Sequence, residues 1–219
     1  DAPAPVTPPA GGGCVPGAAP LAVPDPPDLR FVDANCDGID GDAARSVFVS
    51  ATGNDANPGT LVQPKRRVQA AIDIAAGRDV LVASGVYEGI DITDRSGVGV
   101  YGGYDADGFT RRGGSPTIIS GAYQGALIQR ATGVTLQLVT VAGTPSSLPG
   151  STTYGVRILT GSRAALQRVT VTAGPGVPGA AGADGTRGTV GFDGTSGRVG
   201  NCALQAPAAG GRGGARGRA

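Results

Sequence analysis

Three features of this 219-residue sequence predict an all-β fold with a single helix. Short apolar runs are separated by Gly, Asn, Asp and Ser and lack helical periodicity, which is typical of strands. One run, LQLVTV at 136–141, returns thirty residues later as LQRVTV at 166–171, and such a fixed period indicates a solenoid. One segment, 64–76, does have apolar residues at helical spacing. The predicted strands are 47–50, 79–83, 90–92, 98–101, 117–119, 126–128, 134–141, 156–159 and 166–171.

The helix is predicted over 64–76 (PKRRVQAAIDIAA). Pro64 suits a first helical position because its missing N–H would have no partner there, and Gly77 suits the position after the helix. The residues expected to form its buried stripe are Val68, Ala71, Ile72 and Ala75.

Glycine and proline are concentrated at the two ends of the chain. The 40 Gly and 17 Pro together exceed a quarter of the residues, a level typical of low-complexity segments. We therefore expect a Pro/Ala/Gly-rich tether at 1–32, an acidic loop at 33–45, the β domain at 46–173 and a glycine-rich extension at 174–219. Proline fixes φ and lacks a donor N–H, so the tether should be extended and semi-rigid.

Charge and residue content argue against several functional classes. The net charge is +1, whereas nucleic-acid binding requires a basic face that neutralises phosphates. No apolar run reaches the roughly 18 residues of a membrane span. Histidine is absent, which excludes Ser–His and Cys–His nucleophilic schemes and removes the commonest zinc ligand.

The cysteines and the first residue predict a secreted or cell-surface protein. Cys14, Cys36 and Cys202 lie in polar, loop-like sequence, which suits an oxidising compartment better than a buried core. The chain begins at Asp1 rather than Met, as expected of a product trimmed of a signal peptide. Three cysteines permit one disulfide, in which Cys36 pairs with Cys14, the nearer partner, or with Cys202.

The order of motifs between 46 and 171 resembles the N-terminal part of pectate-lyase-like right-handed parallel β-helix proteins. The motifs are a strand followed by GNDANPGT, then PKRRVQAAIDIAA, then GRDVLVASGVYEGIDI. The resemblance implies a short solenoid whose N-terminal end is capped by the helix, with 85–89 leading from the first rung to the second. The family includes lyases, hydrolases, epimerases, adhesins and structural shells, so the resemblance specifies a fold rather than an activity.

An acidic loop at 33–42 (DANCDGIDGD) is a candidate calcium site. Ca²⁺ takes about six to eight oxygen ligands, which alternating acidic and amide residues around a Gly turn supply. The segment resembles the opening of an EF-hand-type loop, the loops of thrombospondin type 3 repeats and the CDGID motif of secreted bacterial proteins. It departs from the EF-hand pattern at Ala44, where a bidentate Glu is expected; the alternative is a solvated turn. The expected ligands are Asp33, Asn35, Asp37, Ile39, Asp40 and Asp42.

Nine Gly-x-y triplets run without a break over 176–202. A period of three places Gly where extended helices meet at a crowded axis. Three interpretations stay open: a collagen-like trimer, a bundle of polyproline-II helices packed through glycine, and a flexible surface loop. The basic end, with Arg212, Arg216 and Arg218, is expected to be a frayed tail rather than a site for anionic polymers.

Acidic residues of the β domain are raw material for polysaccharide chemistry. The resemblance implies lyases that hold Ca²⁺ on Asp clusters and use Arg or Lys as a base, here Arg95 or Arg111. The segment YGGYD at 101–105 is similar to the YGFDPH motif of alginate epimerases, but His is absent and Ala106 replaces Pro. We expect the acids instead to cap turns. They are Asp91, Asp94, Asp105 and Asp107.

The favoured prediction is an exported surface or extracellular protein with a structural or adhesive role. It would contact polysaccharide or other copies of itself and would have a calcium-stabilised junction, with no catalytic residue assigned. The alternative is a polysaccharide-active enzyme of lyase or epimerase type, or a fragment of one. An acidic groove beside an Arg would indicate chemistry, whereas a flat face of Thr, Ser and Gln would indicate binding.

Overall fold

The computed structural model describes residues 14, 19–112, 114–199 and 210–214, which belong to two units, Asp1–Gly179 and Ala180–Ala219. The described part of the first unit contains one helix, α1 (Val68–Ala75), and twelve strands. In this part of the chain no helix has the length and apolar character needed to cross a membrane. The strands are β1 (Ser46–Val49), β2 (Asp79–Ala83), β3 (Gly85–Glu88), β4 (Ile90–Thr93), β5 (Gly99–Tyr104), β6 (Thr117–Ala122), β7 (Gln124–Gln129), β8 (Val134–Gln137), β9 (Thr140–Thr144), β10 (Tyr154–Leu159), β11 (Ala164–Gln167) and β12 (Thr170–Ala173).

The strands form three parallel sheets that the chain visits in a fixed order. The first sheet has the order β1-β2-β5-β8-β11, the second β3-β6-β9-β12 and the third β4-β7-β10. From β2 onward, consecutive strands pass from the first sheet to the second and then to the third. Within each sheet the spatial order is the chain order, so later residues lie further along all three sheets. The predicted all-β class is confirmed.

One apolar cluster draws side chains from all three sheets and from the helix. Val80 of β2, Ile119 of β6 and Ile128 of β7 are all completely buried in it. Burial of each such side chain contributes about 1.5–3 kcal/mol, so this shared cluster is the main stabilising feature of the sheets. The helix contributes the stripe predicted from its spacing, namely Val68, Ala71, Ile72 and Ala75.

The 30-residue repeat lies in adjacent strands of the same sheets. Leu166 pairs with Leu136, and Val171 pairs with Val141. Each run was predicted as one strand, and this was wrong, because the backbone turns between the first and second sheets within it. The turns occur at Leu138 and Arg168, whose φ angles of 52° and 51° are left-handed. Non-glycine residues seldom adopt that conformation, so nothing in the composition marks the corner.

Two further boundaries differ from the prediction. The helix begins at Val68 rather than Pro64, because the backbone of Lys65 is bonded to β1: its N–H donates to the Phe48 carbonyl at 2.9 Å, and its carbonyl accepts from Ser50 at 2.9 Å. Residues 85–88, expected only as a connection, form β3, which pairs with β6.

The second unit has no helix or strand in its described segments, 180–199 and 210–214. The two segments are hydrogen-bonded, with the Thr195 N–H donating to the Arg212 carbonyl at 3.0 Å. A Cβ added to Gly211 would lie 1.9 Å from the Thr195 carbonyl oxygen, so only glycine permits this approach. These contacts favour the interpretation of extended segments packed through glycine.

Candidate functional site

The acidic segment 25–43 packs on the outer face of the first sheet. Ile39 is buried against Phe48 of β1, Leu81 of β2 and Tyr104 of β5, in an apolar cluster separate from that shared by the three sheets. Phe109 completes this cluster, edge-on to Phe48 with 4.9 Å between ring centroids. The first sheet is therefore covered on both faces over β1, β2 and β5.

A buried cation, Arg111, fastens the acidic segment to the sheet. Its Nη1 donates to Asp40 Oδ2 at 2.9 Å and to the Asp28 carbonyl at 3.1 Å. Its Nη2 donates to Gln137 Oε1 at 2.6 Å, and the Tyr104 ring lies 4.9 Å from the guanidinium. Because the guanidinium and the Asp40 carboxylate are both buried, they satisfy each other where water cannot.

The two residues considered as a catalytic base have different surroundings. Arg111 is enclosed by the contacts just described, and its side chain is fully buried. Arg95 is exposed and paired with Asp73, with 3.1 Å between Nη2 and Oδ1.

The first three expected calcium ligands, Asp33, Asn35 and Asp37, are linked by hydrogen bonds within the loop. The Asp33 carboxylate accepts the N–H groups of Asp37 and Gly38 at 3.1 and 2.9 Å. The Asn35 Oδ1 accepts the Asp37 N–H at 2.9 Å, and its Nδ2 donates to Asp37 Oδ2 at 2.9 Å. The loop is thus organised by backbone N–H groups that point at its acidic oxygens.

The other expected ligands have different surroundings. Asp40 pairs with Arg111, the Ile39 side chain packs on the sheet, and Asp42 lines the same groove as Asn35 and Asp37. Asp42 Oδ1 accepts the N–H groups of Ala44 and Arg45, both at 3.1 Å. Among the described residues no group of three or more Asp, Glu, Cys or His side chains is arranged around a metal position. The loop fits Ca²⁺ only in part, since Asp33, Asn35 and Asp37 would need further oxygen ligands.

Burial raises the pKa of two carboxyl groups in the segment. Burial raises the pKa of Asp25 to about 6, although hydrogen bonds from the Gly41 and Ala34 amides act in the lowering direction. Burial also raises the pKa of Asp40, and the Asp28 amide and Arg111 partly offset this. The attachment of the segment therefore includes a carboxyl group that titrates between mild acid and neutral pH.

A disulfide joins Cys14 to Cys36, with 5.3 Å between the Cα atoms and a sequence separation of 22. Cys202, the other partner considered, lies outside the described residues. The disulfide ties the chain at residue 14 to the acidic loop, which itself lies on the first sheet.

The four acidic residues considered for polysaccharide chemistry do not form one cluster. Asp91 lies in β4 and Asp94 at its end, in the third sheet, whereas Asp105 and Asp107 follow β5 of the first sheet. Asp94 Oδ1 accepts from Arg130 Nε at 2.6 Å, and Asp105 accepts from the Ser115 hydroxyl. Asp107 is exposed in the turn after β5.

The second sheet presents an outer face whose side chains form two rows and are mostly small. One row is Val86, Ile118, Thr140 and Thr170, and the other is Glu88, Ser120, Ala142 and Thr172. Neighbouring strands lie about 4.8 Å apart, and side chains on one face repeat about every 6.6 Å along a strand. The face is therefore a regular, nearly flat lattice.

A shallow groove follows the edge between the second and third sheets. Its lining includes Arg67, Gln69, Glu88, Asp91 and Gln124. Gln69 Oε1 accepts the Asp91 N–H at 2.8 Å, which joins the helix to β4. The groove places two carboxylates on the same surface as a guanidinium. Glu88 was missed from the sequence, although the signal was available: it is the only Glu of the chain, three residues before Asp91.

The coverage of the outer face of the first sheet by the acidic segment was also not predicted from the sequence. Its signal lies in the strands 47–49 (VFV) and 80–83 (VLVA), which are apolar at every position and buried throughout. A strand with one exposed face alternates apolar and polar residues, whereas a continuous apolar strand is covered on both faces.

Comparisons with protein-family models, with curated proteins and with solved structures found no match for this chain. The function is therefore inferred from the residues themselves.

Proposed function

We propose that the protein is an extracellular or cell-surface scaffold whose flat second-sheet face contacts polysaccharide. The supporting observation is the pair of in-register rows on β3, β6, β9 and β12, in which four of the eight side chains are Thr or Ser. Thr and Ser hydroxyls donate and accept hydrogen bonds with sugar hydroxyls, and the methyl groups between them suit the apolar faces of sugar rings. Such a lattice suits an extended, ordered polymer better than a small ligand.

In this proposal the three sheets form a right-handed parallel β-helix capped by α1. The fixed order in which the chain visits the sheets and the apolar cluster that they share support it. The handedness follows from the rule that connections between parallel strands of one sheet are almost always right-handed. The Cys14–Cys36 disulfide supports an oxidising, extracellular location.

A calcium-stabilised junction at the acidic loop is part of the proposal. Asp33, Asn35 and Asp37 are the residues that would hold the ion, which would neutralise carboxylates packed near one another. A thermal melt with Ca²⁺ and with chelator tests this, because a ligand that binds only the folded state raises the midpoint. An unchanged midpoint would remove the metal from the proposal.

Co-sedimentation with microcrystalline cellulose and chitin tests the polysaccharide contact. Thr140→Arg places a long charged side chain in the middle of the flat face, and we expect it to weaken binding about tenfold or more, equivalent to about 1.4 kcal/mol. Thr93→Arg, on the outer face of the third sheet, is the matched control and should bind like the wild type. Equal binding by both variants would exclude the second-sheet face as the contact.

The groove between the second and third sheets favours the alternative of a polysaccharide-active enzyme. Glu88 and Asp91 both line it, and a pair of carboxylates is what glycoside hydrolysis uses. Arg67 lines it too, with its Nε bonded to Asp55. Incubation with pectate and alginate in the presence of Ca²⁺ tests this through new reducing ends, which hydrolysis and lyase cleavage both produce, and through ultraviolet absorbance, which only the unsaturated products of a lyase give. If the wild-type protein forms product and the Glu88→Gln variant does not, the protein is an enzyme and the proposal of binding alone is wrong.

A further inference from the structure

Charge is unevenly distributed along the three sheets. Residues 1–107 contain fifteen of the seventeen acidic residues and seven of the eighteen basic ones. Residues 108–183 contain six Arg and no acidic residue. Two of these, Arg111 and Arg130, pair with Asp40 and Asp94 of the acidic part. Because spatial order follows chain order in every sheet, most acidic residues of the sheets lie toward β1, whereas the arginines after residue 130 lie toward β10, β11 and β12. The near-neutral total charge therefore conceals a separation of charge along the sheets.

The basic end of the sheets is also where the apolar core reaches the surface. β10, β11 and β12 are the last strands of their sheets, and no described strand pairs with their outer edges. Each contains one core residue that is 42–46% exposed, although its partner on the preceding strand is completely buried. The exposed residues are Ile158, Leu166 and Val171, and their buried partners are Ile128, Leu136 and Val141.

Three arginines, Arg157, Arg163 and Arg168, lie in this last group of strands and their connections. Within the described residues no carboxylate lies at ion-pair distance from any of them. Arg157 is held between Tyr123 and Tyr154, with 5.2 and 4.6 Å from its guanidinium to the ring centroids. We call this surface, with its three apolar residues and three arginines, the open end.

A groove of complementary character lies in the acidic part. It is lined by the apolar residues 20–24 together with two carboxylates, Asp37 and Asp42, and one cation, Arg45, and Leu21 is half exposed. We call it the acidic groove. The β1 end of the first sheet offers no comparable surface, because α1 packs on β1 and the backbone of Lys65 is bonded to the outer edge of β1.

We propose that the protein assembles head to tail, with the open end of one copy docked in the acidic groove of the next. The contact would pair apolar with apolar surface and arginine with carboxylate. A symmetric contact between two open ends would instead bring six arginines together, and juxtaposed like charges are costly. A heterologous contact that does not close into a ring produces a filament. The inference does not depend on polysaccharide contact, since assembly can be measured with the protein alone.

Sedimentation velocity at low and high salt tests the assembly. We expect wild-type protein to form species larger than a monomer at low salt and to dissociate as salt screens the charges. Arg157→Gln, Arg163→Gln and Arg168→Gln combined should leave a monomer at both salt concentrations. The matched control, Arg187→Gln, Arg198→Gln and Arg212→Gln, removes the same charge from the second unit and should assemble normally. A wild-type protein that is monomeric at low salt, or whose assembly is insensitive to salt, would overturn the proposal.

A mixing experiment identifies which surfaces meet. Leu21→Arg blocks the acidic groove and leaves the open end intact, whereas the triple glutamine variant does the reverse. Each variant alone should be monomeric, and the two together should form a dimer and nothing larger. A dimer of Leu21→Arg alone would show a symmetric contact between open ends and would contradict head-to-tail assembly.

Discussion

Arg111 is the residue on which the attachment of the acidic segment depends most directly. It lies in the loop after β5, yet its guanidinium contacts the carbonyl of Asp28, the carboxylate of Asp40 and the amide of Gln137. Removing a charge from water is strongly unfavourable, and only partners with good geometry offset it. The buried ion pair is therefore the polar contact that contributes most to holding the acidic segment on the first sheet, beside the apolar packing of Ile39.

Breaking this pair should destabilise the protein strongly. Asp40→Asn leaves the Arg111 charge buried without its counter-ion, and we expect the free energy of unfolding to fall by about 3–5 kcal/mol. Urea denaturation followed by circular dichroism measures the change. The control is Asp94→Asn, which breaks the exposed Asp94–Arg130 pair and should have little effect, because exposed pairs are screened by water. Similar losses in both variants would contradict the role given to Arg111.

Asp25 should make stability depend on pH. Its pKa is about 6 in the folded state against 3.8 for an unperturbed Asp, so the folded protein binds more protons than the unfolded chain between these values. The free energy of unfolding should therefore fall as pH rises from about 4 to about 6, by at most about 3 kcal/mol at about 1.4 kcal/mol per pKa unit. Asp25→Asn should lose this part of the slope in urea denaturation at several pH values. Identical slopes for variant and wild type would show that Asp25 does not titrate in this range.

Left-handed corners connect the elements of the β domain. Asp94, Arg130 and Thr160 follow the aligned strands β4, β7 and β10 and have φ angles of 57°, 49° and 50°. Each non-glycine residue in this conformation is strained by about 1–2 kcal/mol, which the buried core of the three sheets has to offset. The strands can be short because each ends at such a corner and the next begins in another sheet.

In the glycine-rich unit, the pairing of extended segments depends on which glycines face a neighbouring backbone. Gly211→Ala would place a methyl group 1.9 Å from the Thr195 carbonyl oxygen, and Gly214→Ala would do the same against Phe192. We expect either change to separate the segments and to speed hydrogen exchange of the Thr195 amide, measured by NMR. Gly210→Ala and Gly213→Ala are matched controls, because an added Cβ meets nothing within 4 Å there. Equal exchange in all four variants would contradict glycine-mediated packing.

At the scale of the whole molecule, the segment before β1 is part of the folded protein. It covers the first sheet through Ile39, the buried Asp40–Arg111 pair and the Tyr104 hydroxyl, which donates to the Asp40 carbonyl. The disulfide between Cys14 and Cys36 extends this attachment toward the N-terminus. The outer face of the first sheet is therefore covered by the protein's own chain, whereas the outer face of the second sheet is not covered by the acidic segment.

Reduction of the disulfide should destabilise the protein without releasing the acidic loop from the sheet. For a sequence separation of 22, the chain-entropy model gives a loss of about 3 kcal/mol. Urea denaturation of wild-type protein with and without reductant measures this, and Cys14→Ala combined with Cys36→Ala should reproduce the reduced value. The tyrosine fluorescence, to which the buried Tyr104 and four other tyrosines contribute, should be unchanged in the folded reduced protein. No change in stability would show that the disulfide closes a loop already ordered in the unfolded chain.

Local periodicity was sufficient to predict the β class, the buried stripe of α1 and the adjacency of the 136–141 and 166–171 runs. Each of these depends on the spacing of residues a few positions apart or on a repeat of fixed length. Short stretches of sequence are therefore sufficient to predict them. The register of Leu136 with Leu166 is of this kind.

Contacts between distant residues could be decided only by the tertiary structure. Asp40 and Arg111 are 71 residues apart, and only the stacking of β5 beside β2 and β1 brings the loop after β5 under the acidic segment. The packing of the helix and the segment before it beside β3 and β4 places Arg67 in one groove with Glu88 and Asp91, and the stacking within the second sheet aligns the rows of its outer face. The sequence by itself determined which short segments become strands, because alternation and helical spacing are local. Which of their side chains meet depended on the order and register of the sheets, because these follow from packing over the whole chain.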